Sequence, residues 1–395
     1  MNNLYLLFDK FSDNIIKCKE FVDTIKIIEK TPNNIYNLNN NIVLKYIDRY
    51  KKNIEIGPFI DKTIVNYINN NLIFKVLYEY KYYNIKIIIN IVCTKQDLQI
   101  INYKYKKLIL RVIMFIELIK DKFDINKDLI INIYLTDFKK ELNDCLFKNK
   151  NVILKAKNVN SGFTDGRSIT IYRNEENLKV LIHELIHFYN IDIINRRIIC
   201  NECKKKFNVD KKTKIILNEG FVETWANILN LLYIIFENYF NNNYNLLYKI
   251  IINKVSLFNK FIQILTKEIN KSLKTTAIIL LNYKFNSFDE FLINKNKINK
   301  LKQETSVFSY YIAKTLFLYN IEKFLDLYFD KTISKGIFLN NYKKVYLVEL
   351  LISNSNNINF KNKLNKYMKN IKKQNVCYMS LRMTHKPVYG LGSDL

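Results

Sequence analysis

At 395 residues, with 49% apolar and 14% aromatic residues, the chain is long enough for two or three domains and apolar enough to fold, which excludes an intrinsically disordered protein. The net charge of +27, from 63 Lys+Arg against 36 Asp+Glu, would suit a polyanionic partner. However, the positive charge is almost all lysine spread along the chain, arginine standing only at Arg49, Arg111, Arg167, Arg173, Arg196, Arg197 and Arg382, and no base-reading or stacking motif accompanies it.

Asn, Ile, Lys and Tyr are inflated together, as an AT-rich coding sequence would supply them, so nucleic-acid binding is not expected as the main function. This bias resembles that of proteins from large AT-rich DNA viruses. The first residues do not resemble a secretory signal, because no basic residue precedes the short apolar run and Asp9 closes it. Elsewhere the longest apolar runs, such as 228–236, fall short of the roughly 20 residues that span a bilayer. We therefore expect a soluble, intracellular protein without a membrane partner, in the host cytoplasm or the virion if viral. Cys18, Cys93, Cys145 and Cys377 are scattered singly, which agrees with a reducing compartment.

Residues 1–100 read as an N-terminal α+β module: helical patches, then a hairpin of 72–80 and 85–93 around a Tyr82-Tyr83-Asn84 turn. Residues 101–330 read as the central domain. A long buried helix is predicted over 103–123, a strand over 129–135, and, after the turn signals Asn160-Ser161-Gly162 and Asp165-Gly166, an edge strand over 168–173. A helix over 175–189 follows at once, with Asn174 as N-cap and Glu175 and Glu176 in the first turn, where the helix dipole favours acids. Beyond Asn218 the pattern is mainly helical with Asn/Lys-rich connectors such as 241–243 and 294–300, and residues 331–395 read as a helical extension and tail. The tail changes composition at Cys377, carries Arg382 and His385, and is expected to fold back over the cleft or to be a processing site.

Residues 180–190 read Val-Leu-Ile-His-Glu-Leu-Ile-His-Phe-Tyr-Asn. His183 and His187 are four apart, so a helix projects both imidazoles from one face, where they can share a metal. Glu184 is displaced around the helix and can reach a water on that metal, the arrangement of the HExxH zinc peptidases. The chain has 3 histidines in all, two of them in this motif, on a strongly apolar helix where idle polar groups would be costly. A catalytic zinc needs a third protein ligand. His385 is remote, and Asn190 and Ile193 break the longer HExxHxxGxxH pattern, so a carboxylate is expected.

Residues 217–227, Leu-Asn-Glu-Gly-Phe-Val-Glu-Thr-Trp-Ala-Asn, resemble the second signature of the gluzincins, the Asn-Glu-Gly-Phe-Ala of the aminopeptidase N group and the Asn-Glu-Ala of thermolysin. The resemblance implies an α+β, zincin-like fold, with a small sheet and the active-site helix in an upper lobe and a mainly α-helical lower lobe. It implies Glu219 as third zinc ligand, Glu223 as the carboxylate that orients a ligand histidine, and hydrolysis of protein or peptide substrates with Glu184 as general base. Tyr310 and Tyr311 resemble the tyrosine-bearing helix of several gluzincins, which implies a donor to the reaction's oxyanion, although core packing suits at least one of them. The His187 to Glu219 gap is longer than the roughly twenty residues usual in the two named groups. The Gly-x-Met-Glu-Asn that grips a free amine in aminopeptidase N is absent, so endo- or exopeptidase action stays open.

Cys200-Asn-Glu-Cys203 is half of a zinc-ribbon pattern, and without a second half it is expected to be a reduced, unligated pair on a surface excursion. Two other functions fit the sequence: a catalytically inactive zincin-fold binding or scaffold protein, and a basic nucleic-acid-binding protein in which the HExxH is incidental. Zinc content with peptide hydrolysis separates the first from a peptidase, and salt-dependent retention on DNA or RNA would mark the second.

Overall fold

The structure, a computed structural model, describes residues 2–18, 37–38, 42–47, 59–121, 123–142, 153–192, 202–240, 253–292, 300–328, 344–374 and 379–384. The expectations for Cys145, Cys200, Cys377, His385, the connector 241–243 and most of 294–300 lie outside these residues.

The protein is α+β. Its mixed sheet has seven strands, β1 (Asn37–Leu38), β2 (Ile42–Ile47), β3 (Phe74–Tyr82), β4 (Ile85–Cys93), β5 (Leu129–Tyr134), β7 (Gly162–Thr164) and β8 (Ser168–Ile171), in the order β1-β2-β3-β4-β5-β8-β7. A further strand, β6 (Glu141–Leu142), pairs outside this sheet with β9 (Met379–Ser380). The β3–β4 hairpin closes on the pair Tyr82↔Ile85, so the expected turn shrinks to Tyr83 and Asn84, with Tyr83 in the left-handed region at φ 52°. β4, β5 and β8 run parallel, and their Ile-rich sequences place Ile87, Ile89, Ile91, Leu129, Ile131, Ile133, Ile169 and Ile171 in the core.

The expected boundary near residue 100 falls inside helix α3 (Lys95–Ile119) and not in a linker, and β4 pairs directly with β5, so the sheet runs through it. α3 begins earlier than its apolar stretch suggested because Thr94 and Asp97 form a reciprocal capping box. The other helices among the described residues of the first hundred are α1 (Asn2–Lys17) and α2 (Lys62–Asn71).

The strand over 168–171 is not at the edge, as expected, but inside it. Asp165-Gly166 turns the chain back so that β7 pairs antiparallel with β8 and takes the outer position. Helix α4 (Asn177–Phe188) follows β8 and packs on β7, β8 and α3, with α5 (Asn218–Phe240) across it. Asn174 is not its cap. Glu176 holds the N-cap position with φ 62°, so Glu175 and Glu176 precede the first turn instead of lying in it, and both are buried.

The chain beyond Asn218 is mainly helical in the described residues: α5, α6 (Lys254–Asn282), a π-helical turn Phe308–Ala313 running into α7 (Lys314–Tyr319), α8 (Ile321–Tyr328), α9 (Lys344–Ser355) and α10 (Ile358–Gln374). Trp225 of α5 is completely buried beside Phe324. α10 packs along α6, and β9 pairs with β6, so residues 358–374 and 379–380 are stitched into the body rather than extending from it. No helix among the described residues is long and apolar enough to cross a membrane.

Candidate metal centre

α4 is apolar on almost every side and buried throughout its length, so its few polar side chains are held in fixed surroundings. His183 and His187, one turn apart, bring their Nε2 atoms to 3.1 Å. Glu219, in the first turn of α5, places Oε2 at 3.4 Å from His183 Nε2 and 3.3 Å from His187 Nε2. The three side chains could hold a metal ion. Two imidazole nitrogens and one carboxylate oxygen thus form a nearly equilateral triangle, although 32 residues separate His187 from Glu219.

Glycine makes that approach possible. A Cβ at Gly220 would lie 2.9 Å from Ala313 Cβ and 3.1 Å from the Ser309 carbonyl, so only glycine lets α5 lean on the π-helical turn that carries Tyr310. Such a turn inserts a residue into the helical ladder and is frequent at functional sites.

Each histidine is gripped at its outer nitrogen. His183 Nδ1 meets Glu223 Oε2 at 3.0 Å, and Glu223 Oε1 in turn accepts from Lys179 Nζ at 2.5 Å. His187 Nδ1 meets Asp192 Oδ2 at 2.7 Å, and Asn218 Nδ2 donates to the same oxygen at 2.9 Å. These contacts fix the ring orientations and leave both Nε2 atoms facing Glu219. Asp192, the nearest alternative third ligand in the sequence should Glu219 not be one, sits instead at the outer nitrogen of His187, and Lys179 was not singled out from the sequence. A lysine in an otherwise apolar helix, four residues before His183, was the one available signal.

The electrostatics call for a cation. Burial, the largest influence on His183 and His187, disfavours their protonation. Glu219, Glu223 and Asp192 outweigh it, so both histidines are raised above the ordinary imidazole range. Glu219 is opposed by burial but is held far below the carboxylate range by the histidines, as is Glu223 by Lys179 and His183. The cluster stabilises positive charge at its centre, whether from protons or from an ion.

Glu184 is buried and makes no hydrogen bond to another described residue, while burial and the nearby Glu219 raise its carboxyl above the usual range. It lines a cavity of about 30 Å³ with Gly162, Val180, His183, Glu223, Tyr310 and Met383. That volume suits about one water. Gly162 belongs to the outermost strand β7, where an added Cβ would stand 2.8 Å from the Thr170 carbonyl, 2.9 Å from Val180 Cγ1 and 3.4 Å from Glu184 Oε1.

The two tyrosines separate. Tyr310 has its ring centroid 5.9 Å from that of His183, and burial together with Glu219 and Glu184 pushes its phenol well above the ordinary value. Tyr311 points elsewhere, donating its hydroxyl to the Leu381 carbonyl at 2.9 Å. Cys203 is also not where it was expected, being completely buried in the core instead of on a surface excursion.

Residues 379–384 do reach this region. Lys314 Nζ donates to the Met383 carbonyl at 3.1 Å, Lys179 lies 3.7 Å from Met383 Sδ, and Glu176 accepts from the backbone and hydroxyl of Thr384 while pairing with Lys140 at 3.0 Å. Residues 379–384 thus fold back behind the histidines, and the buried Glu176 is their anchor.

No family model matches the chain, and no solved structure does. It is similar to an uncharacterized protein, R210, of Acanthamoeba polyphaga mimivirus, at 27% identity over 188 residues, which is 46% of this chain and 44% of that protein. The chain thus matches under half the length of that relative.

Proposed function

We propose that this protein is a zinc-dependent peptidase of viral origin with a zincin-like arrangement, in which His183, His187 and Glu219 hold the ion and Glu184 is the general base. The observation that carries the reading is the ligand triangle. Donors about 2.0–2.1 Å from a tetrahedral zinc stand roughly 3.3–3.4 Å from one another, and the edges here are 3.1, 3.3 and 3.4 Å. A set of two imidazoles and a carboxylate also leaves a fourth position open, as catalytic zinc requires. The similarity to a mimivirus protein supports the viral origin.

Zinc bound there would supply Lewis-acid polarisation of the scissile carbonyl and activation of a water. Glu184, kept out of ion pairs and raised by burial, takes the proton of the attacking water and passes it to the leaving amine. Tyr310, neutral because burial and the surrounding carboxylates hold its proton, donates its hydroxyl hydrogen bond to the oxyanion. Glu223 and Asp192 orient the histidines, and β7 offers an outer strand edge along which an extended peptide can pair. Proteins and peptides are therefore the substrate class.

The test joins metal analysis to turnover. We expect one zinc per chain and hydrolysis of a denatured protein mixture, read as new termini by mass spectrometry. Glu184→Gln should retain the zinc and lose on the order of a hundredfold or more in rate. A chain that binds no transition metal, or a Glu184→Gln variant as active as wild type, would refute the proposal.

A further inference from the structure

A second cavity, of about 680 Å³, lies where residues 379–384, the C-terminal strap, face α6. Its size falls in the range of small-molecule sites, about 300–1,000 Å³. Among the described residues its walls carry Lys139, Lys267, Lys271, Lys274 and Arg382 against one acid, Glu175. The cations come from three separate parts of the chain. Lys267, Lys271 and Lys274 follow one another along one face of α6, a span of roughly 10 Å at 1.5 Å per residue; Lys139 lies beyond β5, and Arg382 belongs to the strap.

Arg382 pairs with Glu176 at 3.8 Å and donates to the Thr384 carbonyl, whereas the four lysines are not neutralised by any described residue. None of Lys139, Lys267, Lys271 and Lys274 has an ion pair or a hydrogen bond on its ammonium group among the described residues. The Glu175 carboxylate is already engaged by the Lys140 backbone N–H at 2.7 Å. Like charges three and four residues apart on a helix repel. Lys271 is half-buried, and its ammonium is disfavoured first by burial and then by Lys274 and Arg382, despite Glu176 and Glu268 nearby. Beside them Asn270 lines the same cavity with a buried Oδ1 that has no hydrogen-bond partner among the described residues.

The excess of lysine in the chain does not by itself produce this. A second basic cavity, of about 480 Å³, is lined by Lys211, Lys212, Lys300 and Lys302 but also by Asp210 and Glu304, and Glu304 forms an ion pair with Lys155. There two acids line the cavity with four lysines, whereas at the strap the described lining sets one acid against four lysines and Arg382.

We propose that the cavity between α6 and the C-terminal strap binds a small, multiply charged anion, with Lys267, Lys271, Lys274 and Arg382 as its cationic contacts and Asn270, Ser380 and Thr384 as polar ones. The roughly 10 Å run of ammonium groups suits several charged groups on one molecule, a polyphosphate or a polycarboxylate, better than a single phosphate. Such a ligand removes the repulsion among the lysines and offers its charge to the half-buried Lys271, whose ammonium has no direct ion pair among the described residues. The site is independent of the peptidase reading, since none of these residues belongs to the metal centre.

The test is calorimetric titration of the full chain with inorganic tripolyphosphate, and separately with citrate, at constant ionic strength. Each is run on the chain as isolated and again after chelator treatment, so that metal chelation by the probe is distinguished from binding at the cavity. We expect saturable 1:1 binding of at least one probe in both preparations. The exposed-to-half-buried triple variant Lys267→Gln, Lys271→Gln, Lys274→Gln should weaken it by about tenfold or more, that is about 1.4 kcal/mol per tenfold. The charge-matched triple Lys211→Gln, Lys212→Gln, Lys302→Gln should change it less than about twofold, a margin small against the tenfold step. Tighter binding of tripolyphosphate identifies a phosphate-bearing ligand, and tighter binding of citrate a carboxylate-bearing one. Equal weakening in the two triples would mean diffuse attraction to a basic surface and overturn the proposal, as would absence of saturable binding. If the first triple fails to fold, Lys271→Gln alone, with the same control, decides between these outcomes.

Discussion

Glu219→Gln and Glu223→Gln separate a metal ligand from the carboxylate that orients one, and the surroundings of the two side chains predict opposite patterns of loss. Glu219 is 16% exposed and among the described residues meets only the two histidines, whereas Glu223 is 1% exposed and pairs with Lys179, itself 3% exposed. Removing the charge of Glu223 leaves a buried ammonium without its counter-charge, which typically costs about 3–5 kcal/mol. With an unfolding entropy of about 2.1 cal/mol/K per residue, a chain of 395 residues unfolding as one unit would lose roughly 4–6 °C in Tm. Its zinc affinity should fall about 10 to 100-fold, because His183 keeps its Nε2 but loses the partner that aims it. Glu219→Gln should show the reverse: most of the zinc lost to dialysis against a mild chelator, with a smaller fall in the Tm of the metal-free chain. Both quantities are read on the same preparations, by elemental analysis and by thermal unfolding of chelator-treated protein. A Glu223→Gln chain that unfolds at the wild-type temperature, or one that loses its zinc while Glu219→Gln retains it, would refute the assignment.

Two further outcomes follow from the packing. Gly162→Ala inserts a methyl group against the Thr170 carbonyl and Val180, which the β7–β8 pairing and the buried helix prevent from yielding, so we expect about 1–3 kcal/mol of destabilisation and a fall in turnover larger than the fall in zinc content, because Glu184 is displaced and the ligands are not; unchanged kcat would count against it. Burial pushes the Cys93 thiol up to about 12, so the folded chain keeps its proton where the unfolded chain, at about 8.5, has lost it. Its contribution to stability is therefore complete below about pH 8.5 and declines as pH rises toward the folded value, and a thiol reagent at pH 9 should label Cys93 no faster than the chain unfolds.

The sequence by itself determined the elements with strong local signals. The Ile-rich runs of β4, β5 and β8, the hairpin at Tyr83-Asn84 and the apolar helix carrying His183, Glu184 and His187 are written in patterns a few residues long, since alternation and helical spacing need no distant partner. Glu219 and Glu223 could be singled out because Asn-Glu-Gly-Phe is itself a local pattern, and Gly220 proves to have a reason in the π-helical turn it touches. Tertiary structure alone decided the rest. Only the folded chain brings Asp192 and Lys179 into place as partners of His187 and Glu223, separates Tyr310 from Tyr311, and turns β7 rather than β8 into the sheet's outer strand. It also carries Thr384 across some two hundred residues of sequence to a buried Glu176 that read as a helix-start acid. Those contacts join segments whose separation has no period, and what fixes them is the burial of charge: once Glu176 and Lys179 leave water, each must find an opposite charge or a hydrogen-bond donor wherever the fold can bring one.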